Sequence, residues 1–352
     1  MTQDIDYRTI AVFIPNWIGD VVMATPALRA LREKYSGSDT RIIGIMRPHL
    51  IGLLAGTGFL DETWAFKPKS ENPDERARAI SNRMRKEGVD LAVMLTHSLR
   101  PAVMSFKAKV PHRIGYAANG RTPLLTHKTY FSRQGRRRVP FPCVDMYLRI
   151  VELIGLHSPS RKMELSVDPS DCPKADAIYT QLGLRSDKTV LLNGGGAHGP
   201  AKRLPEDVLI DLARRIIDEQ DRDILLLCGP SERDMARDLV AKIDRKNAAS
   251  MADQELTWNI VKACVAKGSL MITTDSGPRH IAAALDVPVI TLLGPTVSAW
   301  IANPTVVGSE ISLDSDELDC LGCAERTCPR DHHRCMRELP IDEILETAKS
   351  FQ

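Results

Sequence analysis

Short apolar runs rich in β-branched residues alternate along this chain with longer stretches whose apolar positions return every three or four residues. The first run, residues 9–14, leads into a helical pattern from about residue 20 to residue 34. Strands are predicted again at residues 41–46 and 89–95, with helices near 73–87 and 143–154, and this first α/β series ends near Leu156. A second series places strands at residues 189–192, 223–228, 270–274 and 287–293, separated by helices near 206–219, 232–243 and 254–267. Between the two, residues 157–187 carry Pro159, Pro169 and Pro173 amid Ser and Asp, a composition suited to a connection holding at most a short strand and helix.

The pattern predicts an α/β protein of two doubly wound, Rossmann-like domains, each with a parallel sheet and right-handed crossovers. Ligands of such sheets bind at the carboxyl ends of the strands, so the active site is expected where the two domains face a cleft. The expected domains are residues 1–165 and 175–340, with residues 341–352 forming a last helix. A chain of 352 residues is long enough to need two cores.

Charge narrows the partners. With 47 Lys and Arg against 45 Asp and Glu, bulk electrostatics give no support to nucleic-acid binding. Residues 1–20 show no basic segment leading into an apolar stretch, so no secretory signal is expected and the cytoplasm is the expected compartment. The most apolar stretch, residues 281–294, is interrupted by Asp286 and Pro288, so membrane contact is expected to be peripheral only.

Candidate chemistry clusters after strands. The loop Asn193-Gly194-Gly195-Gly196-Ala197-His198-Gly199 lets backbone N–H groups come close to a phosphate. It fits a dinucleotide fingerprint poorly, because Pro200 and Pro205 delay the next helix. Lys202 and Arg203 follow as cations able to neutralise a leaving diphosphate, or as plain surface charge. Downstream, Asp275-Ser276-Gly277-Pro278-Arg279-His280 has a capping residue, a proline suited to the first helical position and a cationic first turn. Asp275 would lie beside sugar hydroxyls and His280 beside phosphate oxygens, the alternatives being a capping carboxylate and a partly exposed helix histidine. Glu232, after another strand, could accept ribose hydroxyls or simply begin a helix. In the first domain Asp20 falls at a helix N-terminus, where it is a good cap or a weak base.

Two further features are ambiguous. Cys320, Cys323, Cys328 and Cys335, with His332 and His333, have a spacing that could enclose zinc, or could form a reduced cluster or an oxidisable pair. Arg136, Arg137 and Arg138 could meet anionic lipid or phosphorylated glycan, or form a solvated loop.

Taken together, Pro15-Asn16-Trp17-Ile18-Gly19-Asp20, Gly199-Pro200-Ala201-Lys202-Arg203 and Asp275-Ser276-Gly277-Pro278-Arg279-His280 resemble glycosyltransferase family 9, the heptosyltransferases. Pro111-His112-Arg113-Ile114-Gly115-Tyr116 and the cysteine-rich tail look like the heptosyltransferase II branch in particular. The resemblance implies a GT-B fold, an acceptor site in the first domain holding Arg113, an ADP-sugar site in the second, and a final helix returning to the first. It also implies Asp20 as general base, Lys202 as the diphosphate contact and Asp275 to His280 as the donor cradle; Gly195, Gly196, Arg203 and Glu232 are expected to bind substrate beside them. The expected reaction is inverting transfer of heptose from ADP-heptose to an inner-core lipopolysaccharide acceptor, without metal or cofactor. Rival readings are a nucleotide-sugar-binding protein without turnover, a family member using another sugar or acceptor, and a sugar-nucleotide epimerase or hydrolase.

Overall fold

The computed structural model describes residues 6–37, 39–135, 137–157, 160–195, 199–313, 316 and 318–351. Two compact units divide the chain: one runs to Leu165 and takes in Ile301–Asn303, and the other comprises Ser166–Trp300 and the chain from Pro304 onward. Residues 166–174, left as connection by the sequence, thus belong to the second unit.

In the first unit the strands are β1 (Thr9–Phe13), β2 (Arg41–Met46), β3 (Glu62–Ala65), β4 (Leu91–Met94), β5 (His112–Tyr116) and β6 (His127–Thr129). They form one parallel sheet in the order β3-β2-β1-β4-β5-β6. β1 and β4 are buried along their whole length, as apolar runs in the middle of a parallel sheet must be. The helices are α1 (Ile18–Met23), α2 (Thr25–Lys34), α3 (Ala77–Lys86), α4 (Leu99–Lys107) and α5 (Cys143–Val151). The continuous helix expected over residues 20–34 is two helices. The chain breaks at Ala24, whose N–H bonds back to Asp20 and Val21, and Pro26 supplies no N–H to carry the ladder on. A short antiparallel hairpin, β7 (Arg133–Gln134) with β8 (Arg137–Arg138), follows the sheet.

The second unit repeats the plan with β9 (Thr189–Asn193), β10 (Asp223–Leu226), β11 (Ala248–Ser250), β12 (Leu270–Thr274), β13 (Val289–Leu292) and β14 (Gly308–Ile311), ordered β11-β10-β9-β12-β13-β14. Its helices include α6 (Cys172–Leu182), α7 (Glu206–Gln220), α8 (Arg233–Ile243), α9 (Trp258–Lys267) and α10 (Gly277–Ala284). After α11 (Ser298–Ile301) come α12 (Arg334–Arg337) and α13 (Ile341–Lys349). The expectation that the last helix returns to the first domain is corrected here. Ile344, Leu345 and Ala348 of α13 lie in the core of the second unit with Leu212, Ile216 and Ile290. Arg222 fastens the helix by donating from Nη1 to the Ala348 carbonyl at 3.0 Å.

In each sheet the strand order reverses direction once, between β1 and β4 and between β9 and β12. Crevices open at the carboxyl ends of strands at such switch points, and the two reversals therefore fix where each unit can bind a ligand.

Candidate active site

The residues that leave β1 place Asp20. Trp17 is extended and precedes α1, so Asp20 falls in the first turn of that helix. From α5, the buried Tyr147 donates its hydroxyl to Asp20 Oδ1 at 2.9 Å. Burial, and then the charge of Asp20, push the Tyr147 phenol well above its ordinary range, so it remains a donor. A carboxylate at a helix start is mobile on its own; this bond gives it one orientation. The sequence had not singled out Tyr147, and its only signal was a polar-tipped aromatic on the apolar face of a helix.

In the second unit β9 and β12 bring together most of the expected donor residues. Thr274, at the end of β12, donates to the Gly195 carbonyl at 2.9 Å, and the Gly195 N–H donates to Asn193 Oδ1 at 3.1 Å. A β-carbon on Gly195 would lie 3.2 Å from Glu232 Oε1, so glycine here allows the loop and that carboxylate to approach. The other Glu232 oxygen accepts the Gly229 N–H at 2.8 Å.

Lys202 Nζ reaches Asp275 Oδ2 at 2.5 Å, and Thr296 donates to the same oxygen at 3.0 Å. His280 Nε2 stands 3.8 Å from Asp275 Oδ1. Burial alone would raise the Asp275 carboxyl, but the facing His280 ring and the neighbouring Lys202 charge outweigh it and hold the group well below the usual carboxylate range. His280 is buried against Asp275, and burial pulls its imidazole below its ordinary value.

The α10 N-terminus follows directly. Ser276 is the N-cap, but its hydroxyl meets Thr273 Oγ1 at 3.2 Å and makes no cap bond, and Pro278 falls second rather than first in the helix. Arg279 turns away from this terminus: Nε donates to Thr291 Oγ1 at 2.8 Å and Nη2 pairs with Glu310 at 3.4 Å. Arg203 is exposed and lines an apolar cavity with Asn193, Leu204, Leu226, Glu232 and Met235.

Other expectations fall elsewhere. Gly196 and Arg136 lie outside the described residues. Arg113 donates from Nε to the Leu124 carbonyl at 2.6 Å and from Nη1 to the Val110 carbonyl. The eight cysteines are free thiols. Among the described residues no group of three or more His, Cys, Asp or Glu is arranged to hold a metal ion. Cys320 Sγ stands 3.9 Å from His332 Nε2, and Cys335 is buried. Burial, with the neighbouring Cys323, Cys320 and Cys328, pushes the Cys335 thiol up to about 11.

The cysteine-rich segment braces the loops that follow β9 and β13. The Ala201 N–H donates to the Arg326 carbonyl at 3.1 Å, and His333 Nε2 lies 2.9 Å from the Ala201 carbonyl. Gly322 and Ala324 donate to the carbonyls of Gly294 and Pro295, just before Thr296. A β-carbon on Gly199 would come within 2.4 Å of the Arg326 carbonyl, so that crossing requires glycine.

Two doubly wound units, each built on a six-stranded parallel sheet, define a GT-B glycosyltransferase fold. A solved glycosyltransferase family 9 structure from Veillonella parvula matches it at a TM-score of 0.80 and 19% identity, over 99% of this chain and 98% of that one. The structure of E. coli ADP-heptose LPS heptosyltransferase II matches at a TM-score of 0.75 and 20% identity, over 97% and 98%. In sequence, lipooligosaccharide heptosyltransferase 2 of Campylobacter jejuni is 26% identical over 97% of this chain and 98% of its own length. The model of glycosyltransferase family 9 (heptosyltransferase) matches residues 77–333, and the chain belongs to that family.

Proposed function

We propose that this enzyme moves heptose from ADP-heptose to an inner-core lipopolysaccharide acceptor, heptosyl-Kdo-lipid A, with inversion at the anomeric carbon. The observation that carries this reading is the Lys202–Asp275 pair at the start of α10, a buried cation held beside a helix N-terminus. The Campylobacter relative's name, lipooligosaccharide heptosyltransferase 2, supports the choice of sugar and acceptor.

In this mechanism an acceptor hydroxyl attacks the anomeric carbon, the bond from that carbon to the diphosphate oxygen breaks, and ADP leaves with the bonding electrons. Asp20, oriented by Tyr147, takes the hydroxyl proton. Lys202 and the first turn of α10 stabilise charge on the departing diphosphate. The cavity of Leu204, Leu226 and Met235 takes the adenosine, with Glu232 accepting from ribose hydroxyls.

A metal is not needed where an ammonium and a helix start already meet the leaving charge. Of the Asp-x-Asp pairs in the chain, Asp221 and Asp223 are committed to Arg185, at 3.1 and 2.7 Å. No helix among the described residues is long and apolar enough to cross a membrane. The cationic β7–β8 hairpin, with Arg138 set over the Phe131 ring at 4.0 Å, suits peripheral contact with the cytoplasmic face of the inner membrane.

The test is product mass after incubation with ADP-heptose and heptosyl-Kdo-lipid A. One added heptose with the wild type, and none with Asp20→Ala protein that still binds ADP, upholds the reading. No transfer by the wild type overturns it.

A further inference from the structure

From Leu91 to Val144 the chain carries ten Lys and Arg and no Asp or Glu, although the whole sequence balances 47 against 45. This acid-free stretch runs from β4 through α4, β5, β6 and the β7–β8 hairpin. Among the described residues seven large apolar side chains are exposed, and four of them, Leu99, Phe106, Tyr130 and Val139, stand in it. Cationic and apolar exposure therefore concentrate in the same part of the first unit.

The exposed positions of α3 and α7 are polar without exception, as expected of a helix that packs by one face. α4 departs from that rule. It buries Pro101, Ala102, Met104 and Ser105, yet its other face carries Leu99, Val103 and Phe106 at spacings of four and three residues. Leu99 is 42% exposed and Phe106 54%, with Val103 partly buried between them. Arg100 and Lys107 run beside this stripe, and the Arg113 guanidinium stands 5.7 Å from the centre of the Phe106 ring.

The hairpin continues the same character. Tyr130 and Val139 flank it, and Arg133 and Arg138 are exposed between them. Phe131 meets the His97 ring edge to face at 5.2 Å and stacks on Tyr116 at 4.2 Å. The base of the hairpin is thereby fastened to the loop from which α4 starts.

We propose that the outward face of α4, with the hairpin beside it, docks flat on a bilayer rich in anionic lipid. Leu99 and Phe106 enter the headgroup region, and the flanking cations meet lipid phosphates. A second copy of the chain suits this face poorly, since pairing like faces sets cation against cation with no acid in the stretch to relieve them. α4 leaves the carboxyl end of β4, beside the switch point of the sheet, so a membrane under α4 holds its lipids next to the crevice of this unit. The inference deepens the peripheral contact proposed above: the hairpin supplies charge, and α4 supplies the apolar anchor. Its value for transfer rests on the reading that the acceptor is a lipid, whereas binding to the bilayer does not.

Vesicle flotation measures the docking. The probes are vesicles of phosphatidylglycerol mixed with phosphatidylcholine, and vesicles of phosphatidylcholine alone. The proteins are the wild type, a Leu99→Gln, Phe106→Gln variant and an Arg133→Gln, Arg138→Gln variant. The wild type should float with the anionic vesicles, and the Leu99→Gln, Phe106→Gln variant should bind them about tenfold or more weakly. All four side chains are on the surface, so melting temperatures should stay within about 2 °C of the wild type. The Leu99→Gln, Phe106→Gln variant should also show a raised KM for acceptor embedded in anionic vesicles and an unchanged KM for deacylated, soluble acceptor.

Wild type that floats with neither vesicle overturns the docking face and the peripheral contact together. Wild type that binds the anionic vesicles no better than the Leu99→Gln, Phe106→Gln variant overturns the role of α4, and loss in the arginine variant alone would then leave the hairpin as the contact. A dimer in sedimentation equilibrium that the Leu99→Gln, Phe106→Gln variant dissolves overturns the proposal as well, since the face then belongs to a second copy. If vesicle binding depends on Leu99 and Phe106 while no heptose is transferred, the docking face stands and the proposed reaction falls.

Discussion

Lys202 and Asp275 lie 73 residues apart in the chain and meet as an ion pair of 2.5 Å, with side chains only 14% and 11% exposed. The pair joins the loop after β9 to the strand end of β12, and so sets the cation against the first turn of α10. Removing the ammonium should lower kcat/KM about 100-fold or more, the usual effect of deleting one donor aimed at developing charge. Steady-state kinetics on Lys202→Ala decide this, and a loss below fivefold counts against a diphosphate role.

In the proposed mechanism Tyr147 acts through Asp20. Tyr147→Phe deletes one hydrogen bond and keeps the ring, so transfer should slow about tenfold with ADP affinity unchanged. Asp20→Asn should cost on the order of 100-fold to 10,000-fold. Single-turnover rates for the two variants should rank in that order; a Phe variant as poor as the Asn variant would mean that Tyr147 contacts substrate itself.

Acid should weaken the second unit in a defined window. Asp223 is fully buried, accepts from the Arg185 N–H at 2.6 Å and from Asn247 at 2.6 Å, and pairs with the Arg185 guanidinium. Burial would raise its carboxyl, yet the bonds from Arg185 and Asn247 hold it below the ordinary value. The unfolded chain therefore takes up the proton first as pH falls. The stabilisation is complete above about pH 4 and is lost below it, on through the depressed folded value. Asp223→Asn should cost about 1.5–3 kcal/mol at pH 7 and flatten the fall in melting temperature between about pH 5 and pH 3.

Chelation should leave transfer nearly untouched. In the proposed mechanism Lys202 and the α10 start meet the leaving group, so activity in excess EDTA should stay within about twofold of the untreated enzyme. Complete loss, restored by one divalent cation, would overturn the metal-free mechanism.

The central strands were readable because burial on both faces leaves nearly unbroken apolar runs: β2 and β12 fall on the expected residues 41–46 and 270–274. The edge strands were not. β3 alternates partly exposed positions, and β14 is buried only at Ile311, so neither carries the apolar signature of the sheet interior. The site divides in the same way. Lys202, Asp275 and Asp20 stand in local motifs that the sequence displays, whereas Tyr147 and Thr296 reach those motifs from segments 127 and 21 residues away, and only the folded chain brings them there. Arg113 shows the converse, since it stands in a recognisable motif whose pattern does not display the bond it makes to the Leu124 carbonyl.

The bracing of residues 199–203 by residues 322–333 has a consequence for the order of synthesis. Both sheets are complete once Ile311 has left the ribosome, but the carbonyl of Arg326 and the ring of His333 emerge later. A chain stopped at that stage would possess every strand and the lysine itself, and still lack the wall that shapes the lysine's loop. The shape of that loop is in this sense acquired only after both sheets are complete, and a nick near Arg326 would remove it.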